Sequence, residues 1–146
     1  MVQKVIIYSD GSCLKNPGVG GWAYKIISKH GSTSLSGAVA ETTNNQMELS
    51  GAILALERLK VPCEVELYTD SQYLCKGINE WLENWVRKSF KGVKNVELWQ
   101  RLLVQLNRHK VTAFWVKAHA GHPENEECDK LARAAATALE KELGLS

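Results

Sequence analysis

The chain has 146 residues, of which 45% are hydrophobic and 23% are charged, and its formal net charge is +2. This composition is typical of a globular domain with a full apolar core, and it excludes disordered and collagen-like chains. No apolar run approaches the ~18 residues of a membrane span, and the first residues lack the pattern of a signal peptide. We therefore expect a single domain over residues 1–146, located in the cytoplasm, monomeric and without membrane association.

Positive charge is concentrated in one part of the chain. Residues 86–117 carry eight basic side chains and one acid, which gives this segment a formal charge of +7 and leaves −5 for the remainder. Such a segment is suited to binding a polyanion, whereas the acidic remainder is suited to binding cations. A solvated helix surface would give the same pattern, so charge alone leaves both interpretations open.

The first third of the chain predicts an antiparallel meander. Its three segments are rich in apolar and β-branched residues, and the first is apolar enough to be buried on both faces. The intervening segments contain Asn-Pro-Gly and His-Gly, which favour chain reversal, and we place the first turn at residues 13–21. The predicted strands are residues 4–9, 22–28 and 33–40.

Helical periodicity begins after the third strand. An apolar stripe from Leu49 to Leu59 predicts a helix, with Asn45 as its N-cap and Glu48 as the partner residue of a capping box. A strand, two short helices divided at Gly77, a helix capped by Asn95, a fifth strand and a final helix follow. These strands are residues 64–69 and 111–116, the last helix begins at Pro123, and residues 140–146 are expected to fray.

The element order β-β-β-α-β-α-α-β-α predicts an α/β protein with a mixed sheet and helices packed on it. A strand–helix–strand crossover favours parallel pairing, which would bring the strand that ends near Asp70 close to the strand that ends near Asp10. Because functional sites in such sheets gather beyond the carboxyl ends of the strands, both aspartates fall where a site is expected.

Four acids are the main candidates for chemistry: Asp10, Glu48, Asp70 and Asp129. Each has a structural alternative, since Asp10 suits a turn, Asp70 a helix cap and Glu48 a capping box. Their predicted places at strand ends and on inward helix flanks nevertheless favour a shared site. Two carboxylates ~4 Å apart would repel by about 4 kcal/mol at an effective dielectric of ~20. A cation removes this repulsion, and oxygen-only ligands favour Mg²⁺ or Mn²⁺.

A zinc site is the competing interpretation. His119, His122 and Cys128 form the pattern H-x-x-H-x₅-C, but no fourth soft ligand is recognisable and the pattern straddles the start of a helix. The cysteines at positions 13, 63, 75 and 128 form no C-x-x-C pair, and we expect them to be reduced thiols. The oxygen-ligand site is the better match to the sequence.

Five blocks of the sequence together resemble bacterial type 1 ribonuclease H. In order, they are YSDGSCLKNPGVGGWA, TTNNQMELSGAILALE, LYTDSQYLCKGINEWLENW, NVELWQRL and WVKAHAGHPENEECDKLARAAA. The resemblance implies the ribonuclease H-like fold, a five-stranded mixed sheet with its first three strands antiparallel and helices on both faces. It also implies an endoribonuclease that hydrolyses the RNA strand of RNA–DNA hybrids and leaves 5′-phosphate and 3′-hydroxyl ends.

The resemblance extends to individual site residues. It implies that the four acids hold two Mg²⁺ ions, for which Mn²⁺ could substitute. His119 matches the family's histidine that transfers protons or assists product release, and Glu126 is a candidate for tuning the metal site.

Substrate contacts are implied in the same way, by matching positions. The RNA minor groove, where the 2′-hydroxyl distinguishes RNA from DNA, would be contacted by Cys13, Asn16, Asn44, Asn45 and Gln72. The DNA strand would be held by a phosphate pocket and a sugar-packing aromatic, namely Thr43, Asn95 and Trp81. Sequence-independent attraction to the backbone would come from Lys88, Lys91 and Lys94. Capping, turn formation and core packing are the structural alternatives for several of these side chains.

Three features depart from the family pattern: a short connector between Trp85 and Asn95, Ala118 in place of a glycine, and Glu41 where some relatives are basic. None affects the four acids. Two rival functions are a different metal-dependent nuclease or strand transferase of the same fold, and a non-catalytic module that binds hybrids or duplex RNA. The TTNNQME segment argues against the first rival, and the retention of all four acids argues against the second.

Overall fold

The computed structural model describes residues 2–145 and contains a five-stranded mixed sheet. In chain order, the strands are β1 (Gln3–Cys13), β2 (Gly18–Ser28), β3 (Gly31–Thr42), β4 (Cys63–Thr69) and β5 (Lys110–Trp115). Their spatial order is β3-β2-β1-β4-β5. β1 and β3 each pair antiparallel with β2, whereas β4 pairs parallel with both β1 and β5. The predicted fold class and the parallel crossover are confirmed.

Helices cover both faces of this sheet. They are α1 (Asn44–Arg58), α2 (Gln72–Lys76), α3 (Leu82–Arg87), α4 (Val96–Arg108) and α5 (Pro123–Glu142), and a π-helical turn (Gly77–Trp81) joins α2 to α3. Successive side chains of a strand point to opposite faces. Accordingly, Tyr24 of β2 packs in the larger core with Leu49 and Ile53 of α1, whereas the adjacent Ala23 packs with Cys128 of α5. No helix within the described residues has both the length and the apolar character that crossing a membrane requires.

The start of α1 differs from the prediction. Thr43 has extended backbone angles and its side chain accepts a hydrogen bond from the Gln46 backbone N at 3.2 Å, so Thr43 is the N-cap. The prediction that Asn45 caps this helix was wrong, because Asn44 and Asn45 already lie inside the helix. Glu48 therefore lies beyond the capping box, and the structural alternative for this acid no longer applies.

Several predicted boundaries also shift. β1 continues to Cys13 and β2 begins at Gly18, so the first turn contains only four residues, 14–17, instead of the predicted nine. The division at Gly77 is a π-helical turn, in which this glycine packs against the ring of Trp99. α5 extends to Glu142, so the first residues of the segment that was expected to fray are helical, and Ser146 lies outside the described residues.

The parallel pairing of β1 with β4 fixes the relative heights of two candidate acids. Tyr8 lies opposite Tyr68 in the register, and Asp10 and Asp70 each follow two residues later. Tyr8, Tyr68 and Phe114 of β5 stack side by side, with ring centroids 5.0 and 5.2 Å apart. This aromatic row crosses three strands directly below the level of the two aspartates.

Candidate active site

Three of the four predicted acids converge at the carboxyl ends of β1 and β4. One carboxylate oxygen each from Asp10, Glu48 and Asp70 lies within 4.8 Å of the others. Asp10 is supplied by β1, Asp70 directly follows β4, and Glu48 is supplied by α1. α1 approaches β1 closely at Gly11, where a Cβ atom would lie 2.4 Å from the Glu48 backbone N. The absence of a side chain at Gly11 is thus what allows Glu48 to reach Asp10.

Burial makes this acid cluster electrostatically unfavourable when it is ionised. Asp10 and Glu48 are only 3% and 9% exposed. Burial is the largest cause that raises the pKa of Asp10, to about 7, and the charges of Asp70 and Asp129 raise it further. The Gly11 backbone N donates to Asp10 Oδ1 at 2.9 Å and partly offsets this rise. Burial, followed by the charge of Asp10, also raises the pKa of Glu48 well above its usual range.

The cluster has the chemistry of a site for a hard divalent cation. Its ligand atoms are all carboxylate oxygens, which suit Mg²⁺ or Mn²⁺. Glu48 Oε1 is buried and has no hydrogen-bond partner. A buried polar atom without a partner is costly, and a cation between the carboxylates would satisfy this oxygen and neutralise the repulsion. The residues present therefore fit a divalent metal.

Asp129 lies close to this cluster but outside it. Its Oδ2 accepts a hydrogen bond of 2.6 Å from Arg133 Nη2, one turn further along α5. Its charge nevertheless contributes to the raised pKa of Asp10. Three of the four acids thus converge in the structure, and the fourth forms an ion pair with an arginine of its own helix.

The buried acids predict that metal-free protein is less stable at neutral than at acidic pH. The pKa of Asp10 is raised from 3.8 to about 7 in the folded chain, so the folded chain binds more protons than the unfolded chain between these values. The free energy of unfolding should therefore fall as the pH rises from about 4 to 7. Asp10→Asn should remove part of this loss and stabilise the metal-free protein by about 1–3 kcal/mol at pH 8.

Urea unfolding in EDTA at pH 5 and pH 8 would measure this effect. Glu66→Gln is a matched control, because it also replaces a carboxylate by an amide but lies on β4 outside the cluster, and we expect it to change stability little. Equal stabilities of wild type and Asp10→Asn at pH 8 would contradict the electrostatic account.

The zinc interpretation does not fit the structure. His119 and His122 are exposed in the loop before α5, whereas Cys128 is fully buried with its Sγ 3.6 Å from the Tyr8 carbonyl oxygen. Burial, and then the charge of Asp10, raises the pKa of the Cys128 thiol to about 12, which disfavours the thiolate that zinc requires. Within residues 2–145, the only group of three or more potential metal-ligating side chains is that of Asp10, Glu48 and Asp70.

Most of the residues predicted to contact the RNA minor groove surround the turn after β1. The Asn44 backbone N donates to Asn16 Oδ1 at 3.2 Å, which ties this turn to the start of α1. Cys13, at the end of β1, lies with its Sγ 3.5 Å from the Thr42 carbonyl oxygen. Asn45 is exposed in the first turn of α1, and Gln72 is exposed at the start of α2, next to Asp70. The structure thus places four of the five residues at the turn after β1 and the start of α1, and the fifth, Gln72, two residues after Asp70.

Two of the residues predicted to hold the DNA strand, Thr43 and Asn95, are linked by Gln46, which the sequence analysis missed. Gln46, whose backbone N bonds to Thr43, donates through Nε2 to Asn95 Oδ1 at 3.2 Å. Asn95 Nδ2 in turn donates to the Tyr73 hydroxyl at 3.1 Å. Asn95 precedes α4 as predicted, but its side chain forms these bonds and does not cap the helix. The spacing of Thr43 and Gln46 is that of a capping box, a signal that would have identified Gln46.

Aromatic side chains pack next to Tyr73 and Trp99, and basic side chains follow them in the chain. Trp81 packs edge-on against Tyr73, at 6.3 Å between centroids, and Trp85 packs against the buried Trp99. Trp85 and Phe90 are half-buried against the larger core. The three predicted lysines are all exposed: Lys88, Lys91 and Lys94.

Comparisons with known proteins agree with this architecture. The family model for RNase H matches residues 2–137. The chain is 58% identical over 141 residues to a ribonuclease H of Campylobacter concisus, and this match covers 97% of the chain and 98% of the relative. The crystal structure of LC9-RNase H1, a type 1 RNase H, matches with a TM-score of 0.87 at 30% identity, covering 94% of this chain and 74% of that one.

A further solved structure, LC11-RNase H1 in complex with an RNA/DNA hybrid, matches with a TM-score of 0.72 at 24% identity. The match covers 92% of this chain and 98% of that one, and at this identity it supports the fold alone. The family match over nearly the whole chain, together with the sheet topology and the acids at the strand ends, shows that the chain belongs to the ribonuclease H family.

Proposed function

We propose that this protein is an endoribonuclease that hydrolyses the RNA strand of RNA–DNA hybrids. The observation that carries the proposal is the convergence of Asp10, Glu48 and Asp70 at the strand ends, next to the turn that Asn16 ties to the start of α1. Family membership supports it, since the Campylobacter relative is named as a ribonuclease H and the LC11 enzyme is described in complex with a hybrid. We further propose a monomer that acts in the cytoplasm as a single catalytic domain over residues 1–146.

The four acids would hold two Mg²⁺ ions, for which Mn²⁺ could substitute: Asp10, Glu48, Asp70 and Asp129. When bound, such ions activate water and stabilise the leaving oxygen of an in-line displacement, which leaves 5′-phosphate and 3′-hydroxyl ends. The buried walls around Asp10 and Glu48 keep these carboxylates in place and exclude bulk water from them. His119, exposed before α5, would exchange protons between the site and solvent or assist product release, and Glu126 would tune the site.

Discrimination between the RNA strand and the DNA strand of the hybrid would come from the groups on either side of the acids. Amide side chains both donate and accept hydrogen bonds, so Asn16, Asn44, Asn45 and Gln72 are suited to the 2′-hydroxyl of RNA, together with the backbone near Cys13. The linked pair Thr43 and Asn95, with Trp81 nearby, would hold the DNA strand. The exposed cations Lys88, Lys91 and Lys94 would add attraction that is independent of sequence and sensitive to salt.

A cleavage assay on labelled substrates tests this proposal. We expect cleavage of the RNA strand in an RNA–DNA hybrid with Mg²⁺, no cleavage in EDTA, and no comparable cleavage of a DNA duplex or an RNA duplex of the same sequence. Cleavage of the DNA duplex at a comparable rate would favour the rival metal-dependent nuclease. Tight binding of the hybrid without cleavage in Mg²⁺ or Mn²⁺ would favour the non-catalytic module.

A further inference from the structure

Positive charge is segregated on the surface of α5. This helix contains six acids and only three bases, so it is net acidic. All three bases, Lys130, Arg133 and Lys141, nevertheless line one open groove, and none of the six acids lines it. One of the excluded acids, Glu127, pairs with Lys25 of β2 at 2.8 Å on a different side of the helix. The groove is therefore a cationic strip on an acidic helix.

The rest of the groove is neutral and shallow. Leu14, from the turn after β1, forms one wall, and Ala134 and Thr137 lie between the basic side chains of α5. Short side chains between the cations leave room for a bulky backbone to approach the helix. With Leu14 as its one large apolar wall, the groove is better suited to a charged backbone than to an apolar peptide anchor.

The groove adjoins Asp129, the fourth predicted acid. At one end, Arg133 bonds to Asp129, whose charge acts on Asp10. Along its wall, Leu14 is two residues from Asn16, which bonds to the start of α1. Lys130 and Lys141 are 11 positions apart, which corresponds to roughly 16 Å along the helix. That length corresponds to about four or five nucleotides of one strand.

We propose that the α5 groove, lined by Leu14, Lys130, Arg133, Ala134, Thr137 and Lys141, binds the phosphate backbone of the RNA strand where it leaves the active site. This inference rests on the proposed function, because it assigns the hybrid as the ligand. Because Arg133 of the groove bonds to Asp129, the groove would extend the substrate-binding surface from the acids along the RNA strand in one direction.

The double variant Lys130→Gln/Lys141→Gln tests the groove and leaves Arg133, the partner of Asp129, unchanged. Binding is measured by fluorescence anisotropy in an Asp10→Asn background, so that the substrate survives. Two hybrids are compared, in which the RNA extends past a short duplex in the 5′ or the 3′ direction. The control variant Lys4→Gln/Lys29→Gln removes two exposed lysines far from the groove and changes the net charge equally.

With one of the two extensions, we expect the groove variant to bind about 3- to 10-fold more weakly than the background protein. The slope of log K against log salt concentration should become less negative by about 1–2, since each lost phosphate contact contributes ~0.7–0.9. The other extension and the control variant should show little change. If affinity fell equally with both extensions, or fell as much in the control variant, the effect would come from net charge alone and the proposal would be overturned.

Unchanged binding of both extended hybrids would also overturn the proposal that the groove binds RNA. The groove would then be a site for a different partner, such as an acidic protein segment. Failure of the groove is distinguishable from failure of the proposed function. In the first case the wild-type protein still cleaves the short hybrid, whereas in the second it cleaves no hybrid at all.

Discussion

Replacing Asp10 by asparagine should lower the rate of hybrid cleavage by about 10³-fold or more while hybrid binding persists. Asp10 belongs to the acid cluster with Glu48 and Asp70 and is almost fully buried, so no solvent-exposed group can take its place as a ligand. Asparagine keeps the shape of the side chain but removes the negative charge on which a hard cation depends. The amide groups and lysines proposed for substrate binding are unaffected by this change.

Single-turnover cleavage in Mg²⁺ and anisotropy with the same labelled hybrid would separate the two effects. Glu66→Gln serves again as the control, because it removes a carboxylate of β4 outside the cluster, and its cleavage rate should stay within about twofold of wild type. A rate for Asp10→Asn close to that of wild type would show that Asp10 is not a metal ligand. A parallel loss of binding would instead indicate that the substitution disrupts the substrate surface.

Gly21→Ala should destabilise the protein by about 3 kcal/mol or more and impair cleavage as well. A Cβ atom at Gly21 would lie 2.0 Å from the carbonyl oxygen of Ala132, where β2 and α5 are in contact. Neither backbone can rotate away as a side chain can, so α5 must move outward from the sheet. Because α5 also carries Asp129, this movement displaces a proposed metal ligand.

Gly37→Ala is the matched comparison for this prediction. The added methyl group there would meet the ring of Trp22, at 2.4 Å, which is a side chain that can shift. Chemical denaturation should therefore show a smaller loss of stability for Gly37→Ala than for Gly21→Ala, and its cleavage rate should change less. Equal losses for the two variants would contradict the view that the approach of α5 to β2 is rigid.

The sequence was informative wherever hydrophobic periodicity decides the structure. The alternating and continuous apolar runs predicted all five strands, and the helix between the third and fourth strands implied the parallel crossover. From that crossover followed the neighbouring positions of Asp10 and Asp70, which the register of Tyr8 with Tyr68 confirms. The proximity of these acids was thus predictable from topology, before any side chain was placed.

Predictions failed where a single side chain or a close contact decides the outcome. Thr43 and Asn45 are both good N-caps, and only the tertiary position of the chain selects Thr43. The bond between Gln46 and Asn95 joins residues 49 positions apart, a distance over which sequence patterns carry no information. Asp129 lies on α5 as expected and bonds there to Arg133, and its place as a metal ligand stays a prediction.

The three clustered acids come from distant parts of the chain, and this has a consequence for the order of events during folding. Asp10 lies on β1, Glu48 lies on α1 and Asp70 directly follows β4, so that 60 positions of chain separate the first acid from the last. A nascent or partly unfolded chain that has not yet paired β4 with β1 cannot bring these carboxylates together. Nuclease activity should therefore appear only after β4 has paired with β1 and α1 has packed on the sheet, so that earlier folding intermediates are harmless to the nucleic acids around them.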